Sequence, residues 1–359
     1  MSKATMKERM LALVEGCDHD RVPFVQYSGI AGVSNEEVWN VVGRDNIGLL
    51  EWCGIHSFEH PNCRFEHEEF EIDGHRGARS RLHTPEGTLT EERLYAAIAS
   101  ASRKHYITEP EDYRIMLSYL RDITVHKYTD QWIESYKRLG DDGFPHTSIG
   151  RTPYQQLWIQ WVSIEDLALH LVDYPDLMEE VFEEMFRVQQ EVFRVAREVS
   201  DELPLPYLNF GDNITAPIVG ETNFRKYCLR SYQELADMLS DCKRDVPIAV
   251  HMDGDLKPLW KAIGESPVRI LDSMSPPPDN DTSVADATNL WPEMRVCINF
   301  PSSVHLKEPD VIYETTMEIL RQGWHTGRLQ IQISENMPPD GWRRSYPQIV
   351  RAIQDFNRT

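Results

Sequence analysis

The sequence predicts an α/β protein built on a TIM-like (β/α)8 barrel. Eight short apolar runs carry strand-forming residues, and amphipathic helical patterns lie between most of them. In a chain of 359 residues this alternation is typical of a parallel sheet closed into a barrel. The predicted strands lie within residues 21–28, 47–55, 143–150, 205–212, 246–253, 267–274, 294–300 and 328–334.

The helical segments carry recognisable boundary signals. An N-terminal amphipathic helix is predicted within 1–16, and the helix after Ser163 begins as a capping box, with Asp166 three residues later. Pro175 lies in the first turn of a long helix over 174–199. The stretch between the second and third strands is too long for one crossover. We therefore predict a strand-rich insertion near residues 65–95, turning at 85–87.

A doubly wound open sheet is the main alternative fold. Its first strand would be followed by a glycine-rich phosphate loop, and "YSGIAGVSN" (27–35) is too weak a match. Repeats, low-complexity tracts and linkers are absent from the sequence. A single barrel domain over 1–359 is the prediction.

Composition excludes several classes of function. The formal net charge is −21 without a Lys/Arg cluster, which argues against nucleic-acid binding. No apolar run is long enough to cross a membrane, and the N-terminus lacks a signal peptide's apolar stretch. Six scattered cysteines without a C-x-x-C pair indicate reduced thiols. A cytoplasmic protein is expected.

One strand ends in an unusual set of ionisable residues. In "VPIAVHMDGDLKP" (246–258), His251, Asp253 and Asp255 follow an apolar run at every second position. Side chains two apart on a strand point the same way, so the alternation aims them at one region. In a barrel, the carboxyl ends of the strands carry the chemistry. Polar residues at the other predicted strand ends are Gln26, Tyr27, His146, Asn209, Asp212, Asn213, Asp272, Asn299 and Glu335.

Six motifs together resemble the uroporphyrinogen decarboxylase superfamily, which includes true decarboxylases and corrinoid-linked methyltransferases. The resemblance covers nearly the whole chain and implies a TIM-like barrel. The motifs are "ERMLALVEGCDHDRVPF" (8–24), "TPEGTL" (84–89), "EPEDY" (109–113), "FGDNITAPIVGETNFRKYCLRSYQEL" (210–235), "VHMDGDLKPL" (250–259) and "SENMPPD" (334–340).

The decarboxylase branch fits less well. Its members bind a substrate with many carboxylates through an arginine-rich loop after strand one, whereas "VQYSGIAGVSNEE" (25–37) contains no arginine. The branch's catalytic aspartate after strand two also has no clear counterpart in "CGIHSFEHPNCRF" (53–65). Porphyrinogen decarboxylation is kept as the alternative function.

For the methyltransferase branch, the resemblance implies a zinc site of one His and two Cys. His251 matches the histidine, Asp253 stands at the first cysteine position, and Glu335 stands at the second. Carboxylates are competent zinc ligands, so the three form a candidate set with an open fourth position. Ile331, Ile333 and Glu335 share one face of the last strand, which predicts that Glu335 points inward with them. The competing interpretation is that the three residues only hydrogen-bond each other.

This ligand set lacks thiolates and suits Lewis-acid polarisation of an oxygen. The resemblance therefore implies an O-demethylase that passes a methyl group to cobalt(I) of a corrinoid. The nearest string to a corrinoid-binding motif, "DGHRGA" (73–78), reads as a surface turn, so a separate corrinoid protein is the expected partner. The methyl donor is expected to be a small methoxylated aromatic compound. Whether the chain forms a homodimer is left open.

Site roles follow from this hypothesis. Tyr27, Gln26, Tyr207 and Asn209 are assigned to substrate binding. Asp212 and Asn213 would line the site, and His83 and His146 would donate protons to the leaving oxygen. A non-catalytic ligand-binding paralogue is the alternative from a different class. An amidohydrolase is disfavoured because strand one offers Gln26 and Ser28 in place of His-x-His.

Overall fold

The predicted barrel is confirmed. A computed structural model describes residues 4–96, 100–335 and 337–357. The strands of these residues, in chain order, are β1 (Phe24–Tyr27), β2 (Gly48–Gly54), β3 (His56–Glu59), β4 (Arg64–Ile72), β5 (His75–Thr84), β6 (Gly87–Tyr95), β7 (Ser100–Lys104), β8 (Thr124–Lys127), β9 (Gly143–Ser148), β10 (Leu208–Phe210), β11 (Ile248–His251), β12 (Ile270–Met274), β13 (Arg295–Asn299) and β14 (Leu329–Ile333).

Eight parallel strands, β1, β2 and β9 to β14, form the barrel. The order around the wall is β1-β14-β13-β12-β11-β10-β9-β2, and pairing of β2 with β1 closes it. Each barrel strand lies inside its predicted run, because every run combined strand-forming residues with a flanking turn or helix signal. The carboxyl ends of all eight strands therefore meet at one mouth.

Helices surround the barrel wall. Those of the described residues are α1 (Met6–Glu15), α2 (Asn35–Val42), α3 (Asp112–Asp122), α4 (Asp130–Leu139), α5 (Pro153–Gln156), α6 (Ile164–Asp173), α7 (Pro175–Glu202), α8 (Ala216–Asn223), α9 (Arg230–Leu239), α10 (Trp260–Gly264), α11 (Val284–Leu290), α12 (Pro309–Gly323) and α13 (Gly341–Phe356). Thr5 and Glu8 form a capping box at α1, and Ser163 caps α6. None of these helices is both long and apolar enough to cross a membrane.

The predicted insertion is present and larger than expected. Strands β4 to β7 form a four-stranded antiparallel sheet, and β3 pairs with β8 in a separate two-stranded sheet. The turn predicted at 85–87 joins β5 to β6, with Thr84 opposite Gly87. The insertion thus leaves the barrel after β2 and returns before β9.

Apolar side chains fill the barrel interior away from the mouth, and a layer of buried polar side chains lies near the mouth. Val25, Leu50, Phe144, Ala249 and Ile270 belong to the interior cluster. Nearer the mouth lie polar side chains from five strands, each at most 5% exposed: His146, Asn209, His251, Asp272 and Gln332. Buried polar groups are costly unless they are paired, so this layer concentrates the chemistry of the fold.

The face predicted for the last strand is wrong. Ile331 and Ile333 pack in the main core outside the barrel wall, and Gln330 and Gln332 are bonded to each other on the opposite face. Glu335 reaches the mouth because β14 ends at Ile333 and the chain turns before it. Strand alternation does not extend through a turn, so the direction of the Glu335 side chain does not follow from the faces of Ile331 and Ile333.

Gly143→Ala is expected to destabilise the barrel by about 1–3 kcal/mol or more. A Cβ at Gly143 would lie 1.8 Å from the carbonyl oxygen of Leu49, so β2 and β9 would have to separate locally. Urea denaturation measures the loss. Gly54→Ala is the matched control, because its Cβ would meet nothing closer than 3.7 Å. Equal stability of the two variants would contradict the close approach of these strands.

Candidate metal centre

Three potential metal ligands converge at the barrel mouth. His251 ends β11, Asp253 follows two residues later, and Glu335 follows β14. His251 Nε2 lies 2.9 Å from Glu335 Oε1 and 3.8 Å from Asp253 Oδ2. One ligand atom from each residue lies within 4.8 Å of the others. The histidine is buried and the two acids are half-buried, so the cluster opens toward the mouth.

A buried carboxylate orients His251. Its Nδ1 lies 3.3 Å from Asp272 Oδ2, which leaves Nε2 directed at Glu335 and Asp253. Burial opposes protonation of His251, but the bonds to Asp272 and Glu335 raise its pKa well above the ordinary histidine value. A carboxylate behind the non-ligating nitrogen is the usual support of a metal-bound histidine, because it fixes the tautomer and the ring plane.

Asp272 is the centre of a larger buried network. Its carboxylate accepts hydrogen bonds from Tyr27 Oη at 3.0 Å, Asn209 Nδ2 at 3.2 Å and Gln332 Nε2 at 2.8 Å. Burial acts to raise the pKa of Asp272, but the neighbouring His146 and His251 and the bond from Gln332 hold it below the usual aspartate range. The carboxylate therefore stays ionised beneath His251.

The residues fit a divalent cation. Ligand atoms around a tetrahedral zinc ion lie about 3–4 Å apart, given bonds of about 2.0–2.2 Å. The observed separations of 2.9 and 3.8 Å from His251 Nε2 are of this size. One imidazole nitrogen and two carboxylates also form a donor set that divalent zinc accepts. Without an ion, the same groups pair as a hydrogen-bonded cluster.

Asparagine side chains hold both acidic ligands in place. Asn213 Nδ2 donates to Asp253 Oδ2 at 3.0 Å, and Asn280 Nδ2 donates to the Asp253 carbonyl oxygen at 2.6 Å. Asn299 Oδ1 accepts from the backbone N–H groups of Ser334 and Glu335. Asp255, by contrast, accepts the Asp281 N–H and stabilises a loop.

Several residues assigned from the sequence meet in this network. Tyr27 and Asn209 bond Asp272, while Tyr207 Oη lies 2.7 Å from His146 Nδ1. His146 Nε2 lies 3.6 Å from Asp272. Burial lowers the pKa of His146 to about 4, so its ring is neutral at neutral pH. A neutral, fully enclosed ring is poorly suited to the proton-donor role assigned to it.

Two other assigned residues lie elsewhere. Gln26 bonds Asn35 and Tyr346 on the outer side of the wall, because neighbours on a strand face opposite ways and Tyr27 takes the interior. His83 lies on β5, where its ring contacts Thr88 and Glu66 within the insertion sheet. Gln26 therefore does not face the barrel interior, and His83 bonds within the insertion sheet and not with the His251 cluster. Their positions were inferred without knowing the strand faces or the extent of the insertion.

Asp212 is buried beside the mouth and anchors the wall. Its carboxylate accepts from the Thr152 N–H at 2.7 Å and from Tyr232 Oη at 2.6 Å. Asn213, the next residue, donates to Asp253, one of the three candidate metal ligands. Of this assigned pair, Asn213 is the one in direct contact with a candidate ligand.

Asp212→Asn is expected to remove a pH dependence of stability. Burial raises the pKa of Asp212 to about 6, above its unfolded value of 3.8. The native state therefore binds more protons than the unfolded state between those values, and stability falls as pH rises through them. Between pH 4 and 7, wild type should lose about 2–3 kcal/mol relative to the variant. Urea denaturation of both proteins across this range measures the difference, and parallel profiles would contradict it.

Gln332 carried no signal in the sequence, while Asp272 and Trp52 were recognised only as polar and aromatic residues near predicted strand ends. Asp272 ends a predicted strand, but nothing in its own segment shows that four other strands direct polar groups at it. The Trp52 ring lies 4.2 Å from that of His146 and 5.5 Å from that of Tyr27. It is 40% exposed, so it offers an aromatic surface at the mouth.

The fold and the site define a class: a (β/α)8 barrel with a candidate mononuclear metal centre at the carboxyl ends of β11 and β14. Residues 173–340 match the family model described as Uroporphyrinogen decarboxylase (URO-D). This match contains His251, Asp253 and Glu335 and confirms the resemblance to that superfamily over these residues.

One solved structure shows a similar fold, and a second is similar at a lower score. The first is described as a methyltransferase from Methanosarcina mazei, with 12% identity, a TM-score of 0.53, and coverage of 98% of this chain and 99% of that chain. A B12-independent methionine synthase from Shewanella sp. W3-18-1, in complex with selenomethionine, gives 11% identity, a TM-score of 0.43 and 74% coverage of each chain. The comparison with curated proteins finds no match. At these identities the structural likeness concerns the fold.

Proposed function

We propose that this protein is a zinc-dependent methyltransferase that moves a methyl group from a small methoxylated aromatic compound to the cobalt of a corrinoid on a separate protein. The observation that carries the proposal is the His251, Asp253 and Glu335 cluster at the barrel mouth, with Asp272 behind the histidine. The superfamily's inclusion of corrinoid-linked methyltransferases, and the methyltransferase described above as similar in fold, support it.

The chemistry of the donor set favours an oxygen-linked methyl group. Phenoxide and alkoxide are poor leaving groups, so charge that develops on oxygen needs stabilisation. Zinc held by His251, Asp253 and Glu335 would act as a Lewis acid on that oxygen. Cobalt(I) of the partner's corrinoid would supply the nucleophile for the methyl group, and zinc would stabilise the negative charge left on the departing oxygen.

The chain's own residues prepare this site. Asp272 keeps the His251 ring in the orientation that directs Nε2 to the mouth, and Asn213 holds the Asp253 carboxylate. Trp52 and Tyr27 provide aromatic faces beside the cluster, which suits an aryl methyl ether. Orientation by such fixed groups lowers the entropic cost of reaching the transition state.

Methyl transfer to cob(I)alamin tests the proposal. Zinc-treated protein is mixed under anaerobic conditions with methoxybenzoates or dimethoxybenzene and reduced cobalamin, and methylcobalamin is followed by its absorbance. We expect His251→Ala and Glu335→Ala to lose about 100-fold or more of the rate, because a ligand is removed. Asp255→Asn is the control, since its carboxylate bonds a loop outside the cluster and should retain the wild-type rate.

Two outcomes would overturn the assignment. Turnover of uroporphyrinogen without metal or corrinoid would establish the decarboxylase alternative. Absence of methyl transfer from every donor, with ligand binding indifferent to His251→Ala, would favour the non-catalytic paralogue.

A further inference from the structure

A cavity lies outside the barrel wall, and we call it the side cavity. It has a volume of about 240 Å³ and is enclosed by the segment after β9, by α7 and by the end of α3. Ile149, Trp161 and Val192 form part of its apolar wall, and Arg151 and His56 are among its polar residues. A cavity of this size accommodates several non-hydrogen atoms of a ligand.

The charge of the side cavity contrasts with that of the protein. The chain has a formal net charge of −21, yet the described residues that line the cavity include no acid. Arg151 is the cation among them. An arginine in such surroundings favours an anion, because its fork of N–H groups matches carboxylate and phosphate oxygens.

Arg151 is only partly satisfied. Its Nη2 donates to the neutral amide oxygen of Asn213 at 3.3 Å, and its buried Nε has no hydrogen-bond partner among the described residues. Burial lowers the pKa of Arg151, although Asp212 and Asp253 act in the opposite direction. A buried guanidinium donor without a partner is costly, so an oxyanion beside it would be stabilising.

His56 provides a second unsatisfied nitrogen on the same cavity. Its buried Nδ1 also has no partner within the described part of the chain. Burial lowers the pKa of His56 to about 4, so the ring is neutral at neutral pH and one nitrogen carries a proton that it can donate. Two residues that line the cavity thus carry nitrogen atoms without a hydrogen-bond partner among the described residues, and the remaining wall is largely apolar.

We propose that the side cavity is a binding site for a small organic anion, with the apolar body against Ile149, Trp161 and Val192 and the carboxylate or phosphate group on Arg151. The site shares no ligand with the candidate metal centre. Arg151 is linked to it through Asn213, which donates to Asp253, and through the charge of Asp253 itself. The inference concerns binding alone and does not depend on metal or corrinoid.

Isothermal titration of the full chain tests this site. Benzoate, hexanoate and phenyl phosphate are the probes, and benzamide is the neutral control for the apolar body. We expect at least one anion to bind, and to bind about tenfold or more tightly than benzamide. Comparing the affinities of benzoate and hexanoate with that of phenyl phosphate shows whether the site prefers a carboxylate or a phosphate.

Matched variants assign the binding to the side cavity. Arg151→Gln should weaken it about tenfold or more by removing the guanidinium. Val192→Phe fills the cavity while keeping Arg151, and should weaken binding to a similar extent. Arg114→Gln removes an exposed arginine from α3 and should leave binding unchanged. Thermal unfolding verifies that each variant folds. If Arg151→Gln does not fold, the binding measured with Val192→Phe decides whether the ligand occupies the side cavity.

The proposal is overturned if none of the three anions binds, if benzamide binds equally well, or if binding survives in the folded variants of Arg151 and Val192. Because these titrations contain no methyl donor, zinc or cobalamin, their failure is distinct from failure of the proposed methyl transfer.

Discussion

His251→Ala is expected to weaken zinc binding by about 100-fold or more. Structural zinc sites of four ligands bind with about 10–16 kcal/mol, so one ligand accounts for about 2.5–4 kcal/mol. His251 supplies the nitrogen donor of the cluster and is the residue that contacts both Glu335 and Asp253. Its removal should leave two carboxylates, which hold zinc poorly. Competition with a chromophoric chelator measures the affinity.

Glu335→Ala should produce a loss of similar size, because it removes the oxygen 2.9 Å from His251 Nε2. Asp255→Asn is the matched control, since the cluster excludes this acid although it is near in sequence. Zinc binding that is equal in wild type, His251→Ala and Glu335→Ala would show that the three residues form only a hydrogen-bonded cluster.

Asp272→Ala is expected to have two separable effects. The substitution leaves buried donors from Tyr27, Asn209 and Gln332 without their acceptor, which should lower the free energy of unfolding by about 3–5 kcal/mol. It also frees the His251 ring, which should weaken zinc affinity about 10–100-fold. Denaturant unfolding measures the first effect and chelator competition on folded protein measures the second.

Asp272→Asn separates positioning from packing. The amide fills the same volume but offers one acceptor oxygen in place of two. The loss of zinc-binding free energy should therefore exceed the loss of unfolding free energy. Asp286→Asn changes a carboxylate in the capping box of α11 and should leave zinc affinity unchanged. If Asp272→Ala lowered stability while zinc affinity stayed at the wild-type value, Asp272 would be structural and His251 would be positioned otherwise.

Local patterns were sufficient for the architecture. Each barrel strand lies within a predicted run, α1 lies within the helix predicted over 1–16, and α6 and α7 begin at the signals read from Ser163 and Pro175. These features depend on backbone preferences and on burial of one face, which short windows of sequence encode. The barrel then follows, because eight alternating units in a chain of this length leave few other closed topologies.

The candidate ligands were accessible from sequence for a different reason. His251 and Asp253 are two residues apart on one segment, so strand alternation relates them directly. Glu335 is 84 residues further on from His251, and only the resemblance to a known family connected it with them. The structure brings all three within reach of one ion, although by a turn after β14 and not by the strand face inferred for Glu335.

The sequence by itself determined the strand order, the insertion and the candidate ligands, because each depends on residues close in the chain or on a motif. Only the tertiary structure decided that Asp272 supports His251, that Gln26 faces away from the barrel interior while His83 bonds within the insertion sheet, and that Arg151 lines a separate cavity. These facts depend on which way each side chain faces after closure of the barrel. That direction is set by contacts between distant strands and helices, for which no local pattern exists.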